Sequence, residues 1–203
     1  MTQVKAQHQK IYLAVPDHHR VHRPGWVCWL ASRAFHARGW RLVGKVPASR
    51  KMVLVVGPHT SNWDFIVAMM AMLALDINIH WLGKHTLFRR PLGRLMAWLG
   101  GIPVNRSKAE GFAADIAREL RQADQLILGI TPEGTRSPVA KLKTGFSRIA
   151  WETPCPIVPV TFDFARRLVR IHPSMDASGD SENDACLVRQ IFATAQPKNP
   201  ANF

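Results

Sequence analysis

Short apolar runs recurring between longer helical stretches set the tightest limit on what this chain can fold into. The clearest is Met52-Val53-Leu54-Val55-Val56-Gly57, continuous, rich in β-branched residues and closed by a Gly-Pro turn. That is the pattern of a strand buried on both faces. Extended by one residue, this run predicts a strand over 51–57, and comparable runs predict strands over 40–45, 77–82, 101–104, 126–130, 156–162 and 167–172. Helices are predicted between them over 62–75, 86–99, 109–123 and 144–152. This alternation predicts an α/β chain, a single domain with a mixed, largely parallel sheet flanked by helices. An N-terminal amphipathic helix is expected from Trp26 to Trp40. It makes residues 1–45 a polar N-terminus plus a Trp/Arg-rich, membrane-apposed helix, 46–175 the domain proper, and 176–203 a helix near 183–195 with a Pro-rich, disordered tail.

Charge narrows the choice of partner. A formal net charge of +13 over 203 residues implies an acidic one: an anionic membrane face, nucleic acid, or a phosphate-bearing substrate or carrier. The charge forms no long block, and no RNA-recognition or zinc-finger signature occurs, so nucleic acid is not expected. In the helix at 26–40, three of the seven tryptophans mix with Arg33 and Arg38, and Arg20, Arg23 and Arg41 flank it. Indole and guanidinium together suit the headgroup boundary of a bilayer. No window of 18 or more apolar residues occurs, and Thr2 to Arg23 is polar, so neither a spanning helix nor a secretory leader is expected. Peripheral attachment at the inner face of a membrane fits these features. Cys28, Cys155 and Cys186 form no CxxC pair, and Asp17-His18-His19 with His22 lacks the groups to complete a metal site. No metal is expected, and residues 1 to about 23 read as loosely ordered.

His59-Thr60-Ser61-Asn62-Trp63-Asp64 follows the clearest strand and precedes a helix, Phe65 to Leu73. Of nine histidines, only His59 has an acid five residues downstream. With His59 in the loop and Asp64 in the first helical turn, the ring can fold back so that one nitrogen meets the carboxylate. The other nitrogen then stays free to take a proton from a substrate hydroxyl. Ser61-x-x-Asp64 also reads as a capping box that satisfies amides at the helix start. Sequence leaves both readings open.

Three more segments place polar groups beside buried strands. Gly100-Gly101-Ile102-Pro103-Val104-Asn105-Arg106 sets a guanidinium just past a short strand, where it can hold a phosphate with two parallel hydrogen bonds. Thr131-Pro132-Glu133-Gly134-Thr135-Arg136-Ser137 bunches an acid, a base and hydroxyls in one turn. Pro156-Ile157-Val158-Pro159-Val160 is a stiff apolar strand whose prolines predict a sheet edge or a substrate-facing rim.

Taken in order, His59-x4-Asp64, Gly101-Ile102-Pro103-Val104-x-Arg106, Pro132-Glu133-Gly134-Thr135-Arg136-Ser137 and Ile157-Val158-Pro159-Val160 resemble the glycerolipid acyltransferase family. The resemblance implies transfer of a fatty acyl group from a thioester to a lysolipid hydroxyl in phospholipid biosynthesis, with 1-acylglycerol-3-phosphate the default acceptor. It implies acyl-CoA or acyl carrier protein as donor substrate, no separate cofactor, and a site on the cytoplasmic face of a membrane. By the same resemblance His59 is the general base and Asp64 its orienting partner. Arg106 binds the acceptor's phosphate, and Glu133, Gly134, Thr135 and Arg136 position the acceptor. Pro159 belongs to a segment that lines the acyl or acceptor path. Lys84 and Lys143 are weaker candidates for added positive charge. Pro58 stands where many relatives have Asn, which bears on the acceptor rather than on the reaction. Met69, Met70 and Met72 are expected either to line an acyl tunnel or to pack in the core.

Such chemistry needs these residue types. An alcohol is a poor nucleophile, so a neutral imidazole must remove its proton during attack on the thioester carbonyl, and a carboxylate must hold the imidazole in the right tautomer. Gly145-Phe146-Ser147-Arg148-Ile149 lacks the last glycine of a nucleophile elbow, so direct attack without an acyl-enzyme is expected. The alternatives are another lysolipid or amine acceptor, a thioesterase-like hydrolase using the same His, and a basic binding module without turnover.

Overall fold

The computed structural model describes residues 13–104 and 112–203. Its strands are β1 (Arg41–Val43), β2 (Lys51–Gly57), β3 (Ile79–Lys84), β4 (Gly101–Val104), β5 (Leu126–Ile130), β6 (Ile157–Asp163) and β7 (Leu168–Ile171). They form one seven-stranded sheet in the order β1-β7-β6-β2-β5-β3-β4. Only the β6–β7 pair is antiparallel. A tight turn can join only antiparallel neighbours, and here Asp163 closes that turn by accepting the Arg166 N–H at 2.8 Å and its guanidinium at 2.7 Å.

The helices are α1 (Gly25–Ala37), α2 (Asn62–Leu75), α3 (Gly93–Trp98), α4 (Phe112–Gln122), α5 (Gly145–Glu152) and α6 (Ser181–Phe192). The two-residue period of β2 divides the core. Met52 and Leu54 join a cluster with Phe35, Val67 and Met72 beneath α1 and α2. Val53 and Val55 join another with Leu120, Phe146 and Phe192 beneath α4, α5 and α6. The result is the expected α/β domain, a sheet between two helical layers.

Several local expectations change. The helix predicted over 86–99 breaks into a 3-10 turn, His85–Phe88, and the short α3. Pro91 lies between them and disfavours a helical residue before it. The start of the helix predicted over 109–123 falls outside the described residues. α1 ends at Ala37, so Trp40 leaves the helix and, with Phe35, packs into the core, while Trp26, Trp29 and Leu30 point outward.

Residues 13–23 are ordered, against expectation. Leu13, Val15 and His19 are buried. Asp76, held in the left-handed conformation at the end of α2, accepts the His22 N–H at 3.0 Å, the Arg23 N–H at 3.2 Å and the Arg23 guanidinium at 3.3 Å. Arg23 is therefore a buried partner of Asp76 and is unavailable to a headgroup. Nor is β6 an edge strand: it lies between β7 and β2 and is buried throughout. Pro159 is tolerated because its carbonyl accepts the His172 N–H at 2.9 Å just beyond β7, so only one reciprocal bond is missing.

Candidate functional site

β2, β5, β3 and β4 run parallel, so their carboxyl ends share one edge of the sheet, the edge where open α/β sheets carry their ligand sites. His59 lies two residues past β2, Glu133 three residues past β5, and Lys84 ends β3. β4 also ends on this edge, but Arg106 lies outside the described residues.

The two readings of Ser61-x-x-Asp64 turn out to be one arrangement. Asp64 Oδ2 accepts the backbone N–H of Thr60 at 2.8 Å and of Ser61 at 2.7 Å, while Oδ1 accepts the Ser61 hydroxyl at 3.0 Å. The Ser61 hydroxyl in turn accepts the Trp63 N–H at 3.2 Å, completing the capping box. The same Oδ2 lies 3.2 Å from His59 Nδ1. A carboxylate offers about four lone-pair sites, so one buried Asp64 can cap α2 and orient the ring together. With its proton on Nδ1, His59 donates to Asp64 and leaves Nε2 without a hydrogen-bond partner among the described residues. Asp64 is sealed off at 1% side-chain exposure, whereas His59 keeps 17%.

Glu133 stands behind the loop rather than in front of it. Its Oε1 accepts the His59 backbone N–H at 2.9 Å, and its Oε2 is buried with no hydrogen-bond partner among the described residues. Burial pushes the Glu133 carboxyl above its ordinary range, opposed by that hydrogen bond and by the His59 charge. Gly134 takes a positive φ of 65°, and Lys143 packs so closely on it that an added Cβ would meet the Lys143 Nζ at 2.8 Å. Lys143 is further held by its N–H, which donates to the Pro132 carbonyl at 2.8 Å. The positive φ favours glycine at this position, whereas the flexible end of Lys143 could shift to admit a Cβ.

In front of His59 a cavity of about 830 Å³ opens between α2 and the sheet. Among its lining residues, His59, Asp64, Lys84, Thr135 and Arg136 stand at the polar end. From there it runs inward past Met69, Met72 and Leu54 towards Val169 and Ile171 on β7. Met70 packs against the core beside it. Val160 and Phe162 supply the β6 lining, and Pro159 does not contribute. Sites for small ligands occupy about 300–1,000 Å³, so this volume admits a long hydrocarbon chain.

Of the predicted residues, His59, Asp64, Glu133, Gly134, Thr135, Arg136, Lys84 and Lys143 therefore converge on one edge. Ser147, which the sequence did not offer as a nucleophile, is buried and donates to Asp184 at 2.6 Å, a structural contact between α5 and α6. Sequence reasoning missed the distal lining on β1 and β7, because hydrophobic residues around a void and those in a filled core share one pattern. It also missed the C-terminal residues that reach the loop, having read Asn199-Pro200-Ala201-Asn202 as part of a disordered tail although Asn-Pro is itself a turn signal.

Among the described residues no helix is long and apolar enough to cross a membrane. Trp26, Trp29 and Leu30 on α1 are more than half exposed, as are Leu92 and Trp98 at either end of α3, where the Arg23 guanidinium lies 5.7 Å from the Trp98 ring.

A family model described as Acyltransferase matches residues 40–163. No curated protein matches the chain. Among solved structures, the crystal structure of the 1-acyl-sn-glycerophosphate (LPA) acyltransferase PlsC from Thermotoga maritima is similar, with a TM-score of 0.59 and 18% identity over 86% of this chain and 81% of that one. At that identity the likeness is one of fold.

Proposed function

Because the chain belongs to the acyltransferase family, we propose that it moves a fatty acyl group from an acyl thioester to a lysolipid hydroxyl, with 1-acylglycerol-3-phosphate as the acceptor. One observation carries the reading: the His59–Asp64 pair stands at the polar end of an apolar cavity of about 830 Å³. The acyl chain of the donor lies in that cavity with its thioester carbonyl beside His59. The acceptor hydroxyl gives its proton to Nε2 as its oxygen attacks the carbonyl carbon. Asp64 holds the tautomer and stabilises the imidazolium. Collapse of the tetrahedral adduct breaks the C–S bond, and the imidazolium returns the proton to the leaving thiolate.

Arg136, Lys84 and Arg106 are the cations assigned to the acceptor's phosphate, a guanidinium being suited to bidentate contact. Glu133 supports the His59 loop from behind. The donor is acyl-CoA or acyl carrier protein. The exposed Trp26, Trp29 and Leu30, with the net charge of +13, support peripheral attachment to an anionic membrane surface on the cytoplasmic side.

Incubating the purified protein with labelled acyl-CoA or acyl carrier protein and a panel of lysolipids, followed by mass spectrometry, tests this directly. Acylated lipid is the expected product. Free fatty acid alone would make the protein a hydrolase, and no turnover of any thioester beyond a His59→Ala control would leave a binding module. Flotation with anionic vesicles, lost in a Trp26→Ala/Trp29→Ala variant, tests the attachment.

A further inference from the structure

Several described residues that brace the His59 loop from outside the family domain come from the C-terminal 25 or so positions, where the sequence predicts a helix near 183–195 and then a Pro-rich, disordered tail. Thr60, the residue after His59, is 2% exposed. Its hydroxyl accepts the Asn199 backbone N–H at 3.2 Å, and its carbonyl accepts the side-chain amides of Asn199 at 3.1 Å and Asn202 at 3.4 Å. The Thr60 N–H meanwhile donates to Asp64 at 2.8 Å. One residue thus connects the tail on one side to the carboxylate that holds His59 on the other.

Two further contacts act at the same edge. Phe192, fully buried at the end of α6, packs on Gly57 so tightly that a Cβ there would lie 2.2 Å from the ring. Gly57 ends β2 two residues before His59. Arg189, one turn earlier on α6, donates to the carbonyls of Val139 at 3.1 Å and Ala140 at 2.6 Å, holding the segment that follows Glu133-Gly134-Thr135-Arg136. The tail itself is anchored: the Gln196 carbonyl accepts the Phe164 N–H at 2.8 Å, and the Asn202 N–H donates to Asn199 at 3.0 Å. Phe203 packs on the core beneath α6, with the Arg189 guanidinium 6.0 Å from its ring.

From this geometry we infer that Asn199 and Asn202 are positioning residues for His59. Resting on the function proposed above, the inference adds residues beyond the match at 40–163. The physical reason is a division of labour. A strand-to-helix loop of four residues has few contacts of its own, and side-chain placement errors well under 1 Å already cost rate in a proton-transfer step. Asp64 fixes the ring, but Asp64 itself is referenced to the Thr60 and Ser61 amides. Without the two asparagine side chains, the Thr60 carbonyl loses both of its amide donors, leaving only the Asn199 backbone N–H on the Thr60 hydroxyl, and the loop can rotate relative to α2.

The test uses the full chain carrying Asn199→Ala and Asn202→Ala together. Donor KM, kcat and thermal midpoint are measured alongside the ¹⁵N resonances of the His59 ring. The expected result is a kcat about tenfold lower, as in other losses of orientation, with donor KM and thermal midpoint held near native values. The His59 ring is expected to move from one tautomer to a mixture, and Asn202→Gln, which keeps an amide donor, is expected to restore part of the rate. An unchanged ring signal overturns the inference, as does a kcat that falls only in step with the thermal midpoint. The ring signal is read without substrate. If the native protein transfers no acyl group, the proposed function fails, and the tautomer measurement still decides the role of the asparagines.

Discussion

The two faces of the sheet are built from the same kind of residue and end in opposite states. Beneath α4, α5 and α6 the space is filled: Phe146, Phe192 and Leu120 are each at most 1% exposed and interlock with Val53 and Val55. Beneath α2 the alternate residues of the same strand, Met52 and Leu54, face a cavity of about 830 Å³. Interiors are normally packed to a density near 0.74 with few voids larger than a water, so a hollow of this size is not incidental. The helices over it carry smaller and more pliable side chains. α2 presents two alanines and two methionines, Ala68, Met69, Ala71 and Met72, beside Phe65 at its start, where α5 and α6 bury Phe146 and Phe192 against the sheet. The filled face carries stability and braces the His59 loop through Phe192, while the hollow one is the space to which the proposed acyl chain is assigned.

That contrast can be broken most severely at the polar end of the hollow. His59→Ala should lower acyl transfer by about 10²–10⁴, with the circular dichroism spectrum and thermal midpoint of the native protein; a variant with near-native turnover would remove His59 from the chemistry. On the filled face, Phe192→Ala should cost about 3–5 kcal/mol of stability, read by denaturant unfolding, and this is the change most able to stop the chain folding. The equivalent insult on the hollow face should be mild. Ala71→Phe adds volume where a void can take it, so it should fall below the about 1–3 kcal/mol penalty of an overpacked core. The same variant should shift donor preference towards shorter acyl chains in a competition assay. Equal stability losses for Ala71→Phe and a matched insertion beneath α5 would mean the two faces do not differ.

The smallest expected effect is at Glu133. Burial raises its folded pKa above the ordinary value of 4.5, so between those two values the native state holds more protons than the unfolded one. Stability contributed by the neutral carboxyl is complete below pH 4.5 and is lost as pH rises through the folded value. Glu133→Gln keeps an acceptor for the His59 N–H and removes that loss. The native protein's thermal midpoint, relative to Glu133→Gln, should therefore decline with rising pH above that point. A rising difference would mean that the hydrogen bond outweighs burial.

Much of this architecture was legible along the chain, and the reasons are local. Lys51–Gly57, Gly101–Val104, Leu126–Ile130 and Asn62–Leu75 appear at their expected bounds because each combines one unbroken pattern with a punctuating Gly, Pro or cap. The pairing of His59 with Asp64 was legible for the same reason, since five residues of loop and first turn bring the two groups together. What misled were segments whose partners are distant in sequence. Thr2 to Arg23 is polar, yet its latter half is ordered by Asp76. The tail is Pro-rich and polar, yet it is ordered by Thr60. Pro159 was assigned to a sheet edge or a substrate-facing rim because proline removes a donor, yet it sits in mid-sheet just past the last β6–β7 pair, where its carbonyl still accepts the His172 N–H.

Periodicity, turn chemistry and a short spacing were enough to establish an α/β fold and a histidine held by an acid, because those signals act within a few residues of one another. Only the tertiary structure decided that one face of the sheet is hollow, and that the last residues of the chain reach back to the loop carrying the base. A void is a property of how side chains from α2, β2, β6 and β7 meet, and hydrophobicity along the chain is identical whether the space between them is filled or empty.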